Sequence, residues 1–209
     1  MEIERLIVGP LRTNCYILSE GDDCIIIDPG GDTSYIIDFL KSRNLTPTMI
    51  LATHGHFDHI LSVSDLKIRF NIPFFISRKD MRIAESFTIQ TRTYAGYDPG
   101  PSPVPDNFLS NGDTFKVGNK KLKVVDTPGH TPGSCSFLID WSFFSGDFIF
   151  SGSVGRTDFG GSMDEMLLSL KWAKALKDDF DIYPGHGRFS TLEAEKKSNP
   201  FFRENFLKE

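Results

Sequence analysis

Three of the five histidines of this chain lie within six residues, in the segment His54-Gly55-His56-Phe57-Asp58-His59. The segment directly follows an apolar run at residues 49–53, which predicts a buried strand. Because extended residues two apart point the same way, the rings of His54 and His56 are expected on one side. Asp58 and His59 come at the next turn, where the chain enters a predicted helix. The fold must therefore gather several potential metal ligands at the end of one strand.

The other two histidines and one aspartate have a similar setting. His130 lies in Thr-Pro-Gly-His-Thr-Pro-Gly-Ser, and His186 lies in Pro-Gly-His-Gly, so each follows a β-rich run and a Pro-Gly turn. Asp147 ends another apolar run. Neutral imidazole and carboxylate suit Zn²⁺ or Fe²⁺, and so many ligands are crowded for one ion but divide naturally between two. Asp28 also ends a strand, and it is either a turn residue or an acceptor that orients a ligand histidine.

The order of predicted elements indicates the fold class. Strand patterns open the chain at residues 3–28 and resume at residues 114–144. Helical patterns follow each group, from residue 33 and from residue 162, where Ser-Met-Asp-Glu matches a capping box. We therefore predict an α/β fold of four layers, an αββα sandwich with two mixed sheets and helices outside. A doubly wound parallel sheet is the alternative.

Length and composition narrow the class of protein. The 209 residues suffice for one core and leave little room for two, so we expect a single domain over residues 1–209. The net charge of -5 argues against a nucleic-acid partner. An acidic N-terminus and the absence of a long apolar run predict a cytoplasmic protein without a membrane partner. Cys15, Cys24 and Cys135 are expected to be buried, reduced thiols.

The pattern His54-x-His56-x-Asp58-His59, followed by His130, Asp147 and His186, resembles the ligand motifs of the metallo-β-lactamase fold superfamily over about residues 3–187. Within it, the motifs at residues 53–59, 127–134, 151–158 and 183–187 are similar to those of the glyoxalase II group of hydroxyacylglutathione hydrolases. The resemblance implies a metal-bridging hydroxide that attacks hydroxyacyl thioesters such as S-D-lactoylglutathione, with Asp58 as a catalytic residue that orients it. It implies two divalent ions, zinc before iron or manganese. The first ion would be held by His54, His56 and His130, and the second by Asp58, His59 and His186. Asp147 would bridge the two ions.

Two-domain glyoxalase II enzymes carry a C-terminal helical region with cationic contacts to glutathione, and this chain differs from them. About 20 residues follow His186, so the chain resembles the single-domain glyoxalase II-like hydrolases, and glutathione is an uncertain carrier. Arg156 is a candidate substrate contact or one half of a surface ion pair. Asp147 stands where the commonest class B β-lactamases carry cysteine, which disfavours β-lactamase activity. The loop at residues 95–107 is expected to shape either the pocket or a dimer contact, and the oligomeric state is open.

Two further activities stay open beside the thioesterase. The first is hydrolysis of another ester, a lactone or a phosphoester on the same fold. The second is a mononuclear iron persulfide dioxygenase, which by resemblance would hold one iron through His54, His130 and Asp147. Metal stoichiometry and oxygen uptake distinguish the second activity from hydrolysis.

Overall fold

The computed structural model describes residues 1–207 and builds two six-stranded sheets. The first sheet has the order β1-β2-β3-β4-β5-β6, with antiparallel pairs from β1 to β3 and parallel pairs from β3 to β6. Its strands are β1 (Glu2–Val8), β2 (Thr13–Glu20), β3 (Asp23–Ile27), β4 (Thr46–Leu51), β5 (Phe74–Ser77) and β6 (Asn107–Leu109).

The second sheet is also mixed. Its strands are β7 (Thr114–Val117), β8 (Lys120–Asp126), β9 (Cys135–Ile139), β10 (Ser142–Gly146), β13 (Asp181–Pro184) and β14 (Ser190–Thr191), beside a small hairpin of β11 (Ile149–Phe150) and β12 (Ser153–Val154). The strand order is β14-β13-β10-β9-β8-β7, and only β10 and β13 pair in parallel. Antiparallel pairs in both sheets rule out the doubly wound parallel alternative.

Side-chain alternation in the central strands creates the layers. In β2, Cys15 and Ile17 face a cluster with the helices, whereas Tyr16 and Leu18 face the second sheet. A third apolar cluster, which includes Phe143, covers the other face of the second sheet. The helices are α1 (Thr33–Ser42), α2 (Phe57–Ile60), α3 (Val63–Phe70), α4 (Met81–Glu85) and α5 (Phe87–Ala95) over the first sheet, and α6 (Met163–Ala175), α7 (Leu192–Ser198) and α8 (Glu204–Leu207) over the second. The predicted αββα sandwich is confirmed.

Several local predictions are also confirmed. Ser162 is the N-cap of α6, and its Oγ accepts a hydrogen bond from the Glu165 amide. All three cysteines are buried, free thiols. Within residues 1–207, no helix combines the length and the apolar character that crossing a membrane requires.

Tertiary contacts move some element boundaries from their expected places. The helix expected from about residue 58 is divided, because the Ser62 amide donates to the Pro29 carbonyl, 2.9 Å away, at the break between α2 and α3. Pro47 lies within β4, beside a shift in the register between β3 and β4. Residues 82–89 are divided between two helices, α4 and α5, and the short strands β6, β11, β12 and β14 have no clear sequence pattern.

Candidate metal centre

All seven candidate ligands meet at one edge of the two sheets. His54 follows β4, His56 caps α2, and His130 lies in the loop between β8 and β9. A backbone hydrogen bond joins the two sheets at this edge, from the Cys135 amide to the Thr53 carbonyl at 2.9 Å. The complete set consists of His54, His56, Asp58, His59, His130, Asp147 and His186.

The first group of possible ligands contains three histidines, His54, His56 and His130, whose ligand atoms lie within 4.8 Å of one another. His56 Nδ1 is 2.9 Å from His130 Nε2. The opposite ring nitrogens have protein partners, since His54 Nδ1 is 3.1 Å from Thr53 Oγ1 and His130 Nδ1 is 2.5 Å from the Arg156 carbonyl. These outer contacts aim the remaining nitrogens at a shared space.

The second group contains Asp58, His59 and His186. His186 Nε2 is 3.2 Å from Asp58 Oδ2 and 3.3 Å from His59 Nε2. The other nitrogen of His59 lies 3.0 Å from the buried Asp28 carboxylate, which also accepts from the amide and hydroxyl of Thr53 at 2.7 Å each. Asp28, whose φ is 51°, is therefore both a turn residue and a close neighbour of a candidate ligand, so the two interpretations that the sequence allows are compatible.

Asp147 lies between the two groups. Its Oδ1 is 3.5 Å from His59 Nε2, and its Oδ2 is 3.6 Å from the Nε2 atoms of both His130 and His186. A side chain at Gly185 would place its Cβ 2.2 Å from Asp147 Oδ1. Glycine is thus required beside His186 so that the carboxylate can reach both groups.

Burial and mutual proximity shift the pKa values of these side chains. Burial holds the pKa of His54 well below its usual range, and the neighbouring His59 adds to this effect. Burial likewise lowers the pKa of His56 to about 4. Burial alone would lower the pKa of His59, but Asp58, Asp28 and Asp147 outweigh it and raise that pKa to about 10. Burial opposes ionisation of Asp58 too, yet the surrounding imidazoles, first His59, hold its pKa below the usual range.

These shifts predict how the stability of the metal-free protein depends on pH. The folded pKa of His56 is about 4 against an ordinary 6.5, so its contribution to stability is lost as the pH falls from 6.5 to 4. The folded pKa of His59 is about 10, so its contribution is complete below pH 6.5 and is lost only as the pH rises toward 10. We expect His56 to account for a loss of at most about 3 kcal/mol on the acid side. Urea unfolding of chelator-treated protein between pH 4 and 8 measures this loss, and His56→Asn should flatten the acid limb. An acid limb with the same slope in that variant would contradict the assignment.

The residues present fit divalent cations. His54 Nε2 and Asp147 Oδ1 are buried and have no hydrogen-bond partner among the described residues, although unpaired buried polar atoms are costly. Imidazole nitrogens and carboxylate oxygens are ligands that zinc, iron and manganese accept. Two groups of three ligands with a shared carboxylate could hold two ions.

One buried residue that supports this centre had not been singled out in the sequence. Asp80 accepts hydrogen bonds from the Gly55 amide at 2.8 Å, the Thr131 hydroxyl at 2.7 Å and the Gly133 amide at 2.6 Å. It thereby joins the loop that carries His56 to the loop that follows His130. Asp80 follows a strand by a few residues, as Asp28 and Asp147 do, and this sequence pattern could have identified it.

A cavity of about 710 Å³ opens onto the centre. Arg156 lines it, but its Nε and Nη2 bond both oxygens of Asp158, at 2.9 and 2.5 Å, which is the surface ion pair that the sequence left as one interpretation. Both partners are exposed. None of residues 95–107 lines this cavity, so of the two roles left open for the loop, the lining gives no support to a pocket wall.

The comparisons with known proteins agree with this architecture. The family model described as the metallo-beta-lactamase superfamily matches residues 8–186. A probable metallo-hydrolase, YqgX of Bacillus subtilis, is 32% identical over 96% of this chain and 97% of its own length. The hydroxyacylglutathione hydrolase GloC of Haemophilus influenzae is 34% identical over 96% of this chain and 98% of its own.

Solved structures give the same result. The B3 metallo-beta-lactamase BLEG-1 superimposes with a TM-score of 0.88 at 34% identity, covering 96% of this chain and 99% of that one. The protein TTHA1623 in a di-iron-bound form gives 0.87 at 32% identity, covering 95% and 99%. ETHE1 from Myxococcus xanthus gives 0.81 at 26% identity, covering 100% and 89%. With the family model and these relatives spanning nearly the whole chain, the protein belongs to the metallo-beta-lactamase superfamily.

Proposed function

We propose that this member of the superfamily is a metal-dependent thioesterase that hydrolyses small hydroxyacyl thioesters. The observation that carries the proposal is the pair of ligand groups joined by Asp147 beneath one cavity. The likeness to GloC, which is described as a hydroxyacylglutathione hydrolase, supports the choice of a thioester. The partner is then a small molecule rather than a nucleic acid or a membrane.

Each group of ligands has an assigned role in this proposal. His54, His56 and His130 would hold one divalent ion, and Asp147 would contact both ions. The second ion would be held by Asp58, His59 and His186. When bound, such ions make water more acidic and stabilise negative charge on a carbonyl oxygen. Zinc is our first choice of metal, with iron or manganese as alternatives that the same donors accept.

The protein's own side chains prepare the reaction. Asp58 accepts a hydrogen bond from the Thr13 hydroxyl at 3.1 Å, and its lowered pKa keeps it ionised near neutral pH, so it can orient an attacking water. Asp28 fixes the ring of His59. A thiolate leaves without first being protonated, so the proposed reaction needs no general acid.

The experiment that tests this proposal combines metal content with turnover. We expect about two metal ions per chain, as a bridged pair of ligand groups implies. We expect cleavage of S-D-lactoylglutathione that is abolished by a chelator and restored by zinc, iron or manganese. Incubation with a persulfide should cause no oxygen uptake. Metal-loaded protein that leaves thioesters intact would contradict the proposal.

A persulfide dioxygenase with one iron is the second candidate. Two histidines and one carboxylate are the usual ligand set of non-haem iron oxygenases, and His130 Nε2 lies 3.6 Å from Asp147 Oδ2 at the cavity floor. His54 would complete that set. One iron per chain together with oxygen uptake on a persulfide would favour this candidate over hydrolysis.

Because the chain is similar to BLEG-1, the same assay should include a β-lactam, together with lactones and other esters. We expect the thioester to be the fastest substrate, because the nitrogen released from a β-lactam requires a proton whereas a thiolate does not. Faster turnover of the β-lactam or of a lactone would move the assignment to that class of substrate.

A further inference from the structure

The cavity above the metal centre has an aromatic flank. The ring centroids of Phe57 and Tyr94 are 6.2 Å apart, and those of Tyr94 and Phe159 are 6.0 Å apart. This row begins beside a candidate ligand, since the ring of His56 lies 6.4 Å from that of Phe159. Tyr94 and Phe159 are partly exposed, whereas Phe57 is buried. The row thus offers apolar surface beside the candidate ligand His56.

The opposite flank is apolar as well. Phe150 lies with its ring centroid 6.2 Å from that of His186, and Leu11 and Val154 line the cavity with it. Apart from the candidate metal ligands, the neutral polar groups in the lining belong to Ser86, Gln90, Ser153 and the hydroxyl of Tyr94. Gln90 is already occupied, because its amide group bonds the Phe57 amide, the Ile83 carbonyl and the Ser86 hydroxyl.

The cationic side chain in this lining is Arg156, and among the described residues that line the cavity there is no other lysine or arginine. Two of its nitrogens bond Asp158, and its guanidinium carbon lies 4.3 Å from the centroid of Phe159. A carboxylate on a substrate would have to displace Asp158 or be desolvated against aromatic surface. A neutral arm of a substrate would meet neither cost.

We propose that this cavity selects thioesters whose acyl and thiol parts are uncharged near the reacting carbonyl, and that Asp158 lowers affinity for carboxylate-bearing thiol carriers by engaging Arg156. The chemical class is an acyl thioester of a neutral thiol, in contrast to a glutathione conjugate, which carries two carboxylates. The inference rests on the proposed function for the reaction, but its test measures binding.

Two unreactive thioethers test the selection. Metal-loaded protein is titrated calorimetrically with S-hexyl-N-acetylcysteamine and with S-hexylglutathione, which share one alkyl arm. We expect the neutral thioether to bind about tenfold more tightly, because the carboxylates of the other lose water and Arg156, the arginine in the lining, is already paired with Asp158. In Asp158→Asn, the affinity for S-hexylglutathione should rise about threefold, which is the scale of an exposed ion pair. Adding Arg156→Ala to that variant should remove the gain.

Glu193→Gln is the matched control. It makes the same change of charge on α7, where Glu193 pairs with Lys197 outside the cavity lining. This variant should keep the wild-type ratio of the two affinities. Equal or tighter binding of S-hexylglutathione to the wild type, or an unchanged ratio in Asp158→Asn, would overturn the inference. Failure of the proposed function would look different, because S-D-lactoylglutathione and acyl thioesters of neutral thiols would stay intact while the preference for the neutral thioether persisted.

Discussion

Replacing Asp147 with alanine should remove at least one metal ion per chain and lower thioester turnover by about a thousandfold. Asp147 is the carboxylate whose two oxygens face different ligand groups, with Oδ1 3.5 Å from His59 Nε2 and Oδ2 3.6 Å from His130 Nε2. Its Oδ1 is buried and has no hydrogen-bond partner in the part of the chain that the structure describes. Alanine at this position would leave each group of three ligands without the residue that joins them.

Elemental analysis and steady-state kinetics of the purified variant check this prediction, with circular dichroism to establish that the protein is folded. Asp38→Ala is a suitable control, because Asp38 is an exposed residue of α1 whose carboxylate lies 3.7 Å from the ammonium of Lys41. This control should keep both metal content and turnover. If Asp147→Ala also kept both, Asp147 would have to be removed from the proposed ligand set.

The residues that gather at the centre could be predicted from the sequence for a physical reason. His54, His130 and Asp147 each stand just after an apolar strand pattern, and strand ends are where a sheet brings distant residues together. The four-layer fold was predictable in the same way, because apolar residues on both faces of a strand such as β2 require a layer on each side. These local patterns can be read from the sequence because residues that pack into the core must be apolar.

What the sequence left open depends on contacts between distant segments. The division between α2 and α3 depends on a bond from the Ser62 amide to the Pro29 carbonyl. The choice between the two interpretations of Arg156 depends on its rotamer, which the pair with Asp158 fixes. Neither interaction has a periodic signature, and an aspartate after a strand has the same appearance whether it ends a turn or orients a ligand.

Replacing Asp80 with asparagine should weaken the binding of one metal ion by about ten- to a hundredfold, the usual effect of losing a partner that orients metal ligands. The carboxylate of Asp80 receives three donors, from Gly55, Thr131 and Gly133. An asparagine has one acceptor oxygen, so its amide group would face a donor and leave at least one N–H or O–H group unpaired. The free energy of unfolding should fall by about 2–4 kcal/mol with or without metal.

The affinity is measured by competition with a chromophoric zinc chelator, and the stability by urea unfolding of chelator-treated protein. Asp106→Asn is the matched control, because Asp106 accepts the Phe74 amide at 2.8 Å and pairs with Lys67 at 2.7 Å, away from the ligand loops. It should lower stability and leave zinc affinity at the wild-type value. If Asp80→Asn behaved in the same way, Asp80 would support the fold alone. Loss of zinc affinity confined to Asp80→Asn would instead mean that the position of His56 relative to His130 depends on this buried carboxylate, because Asp80 joins the loops that carry them.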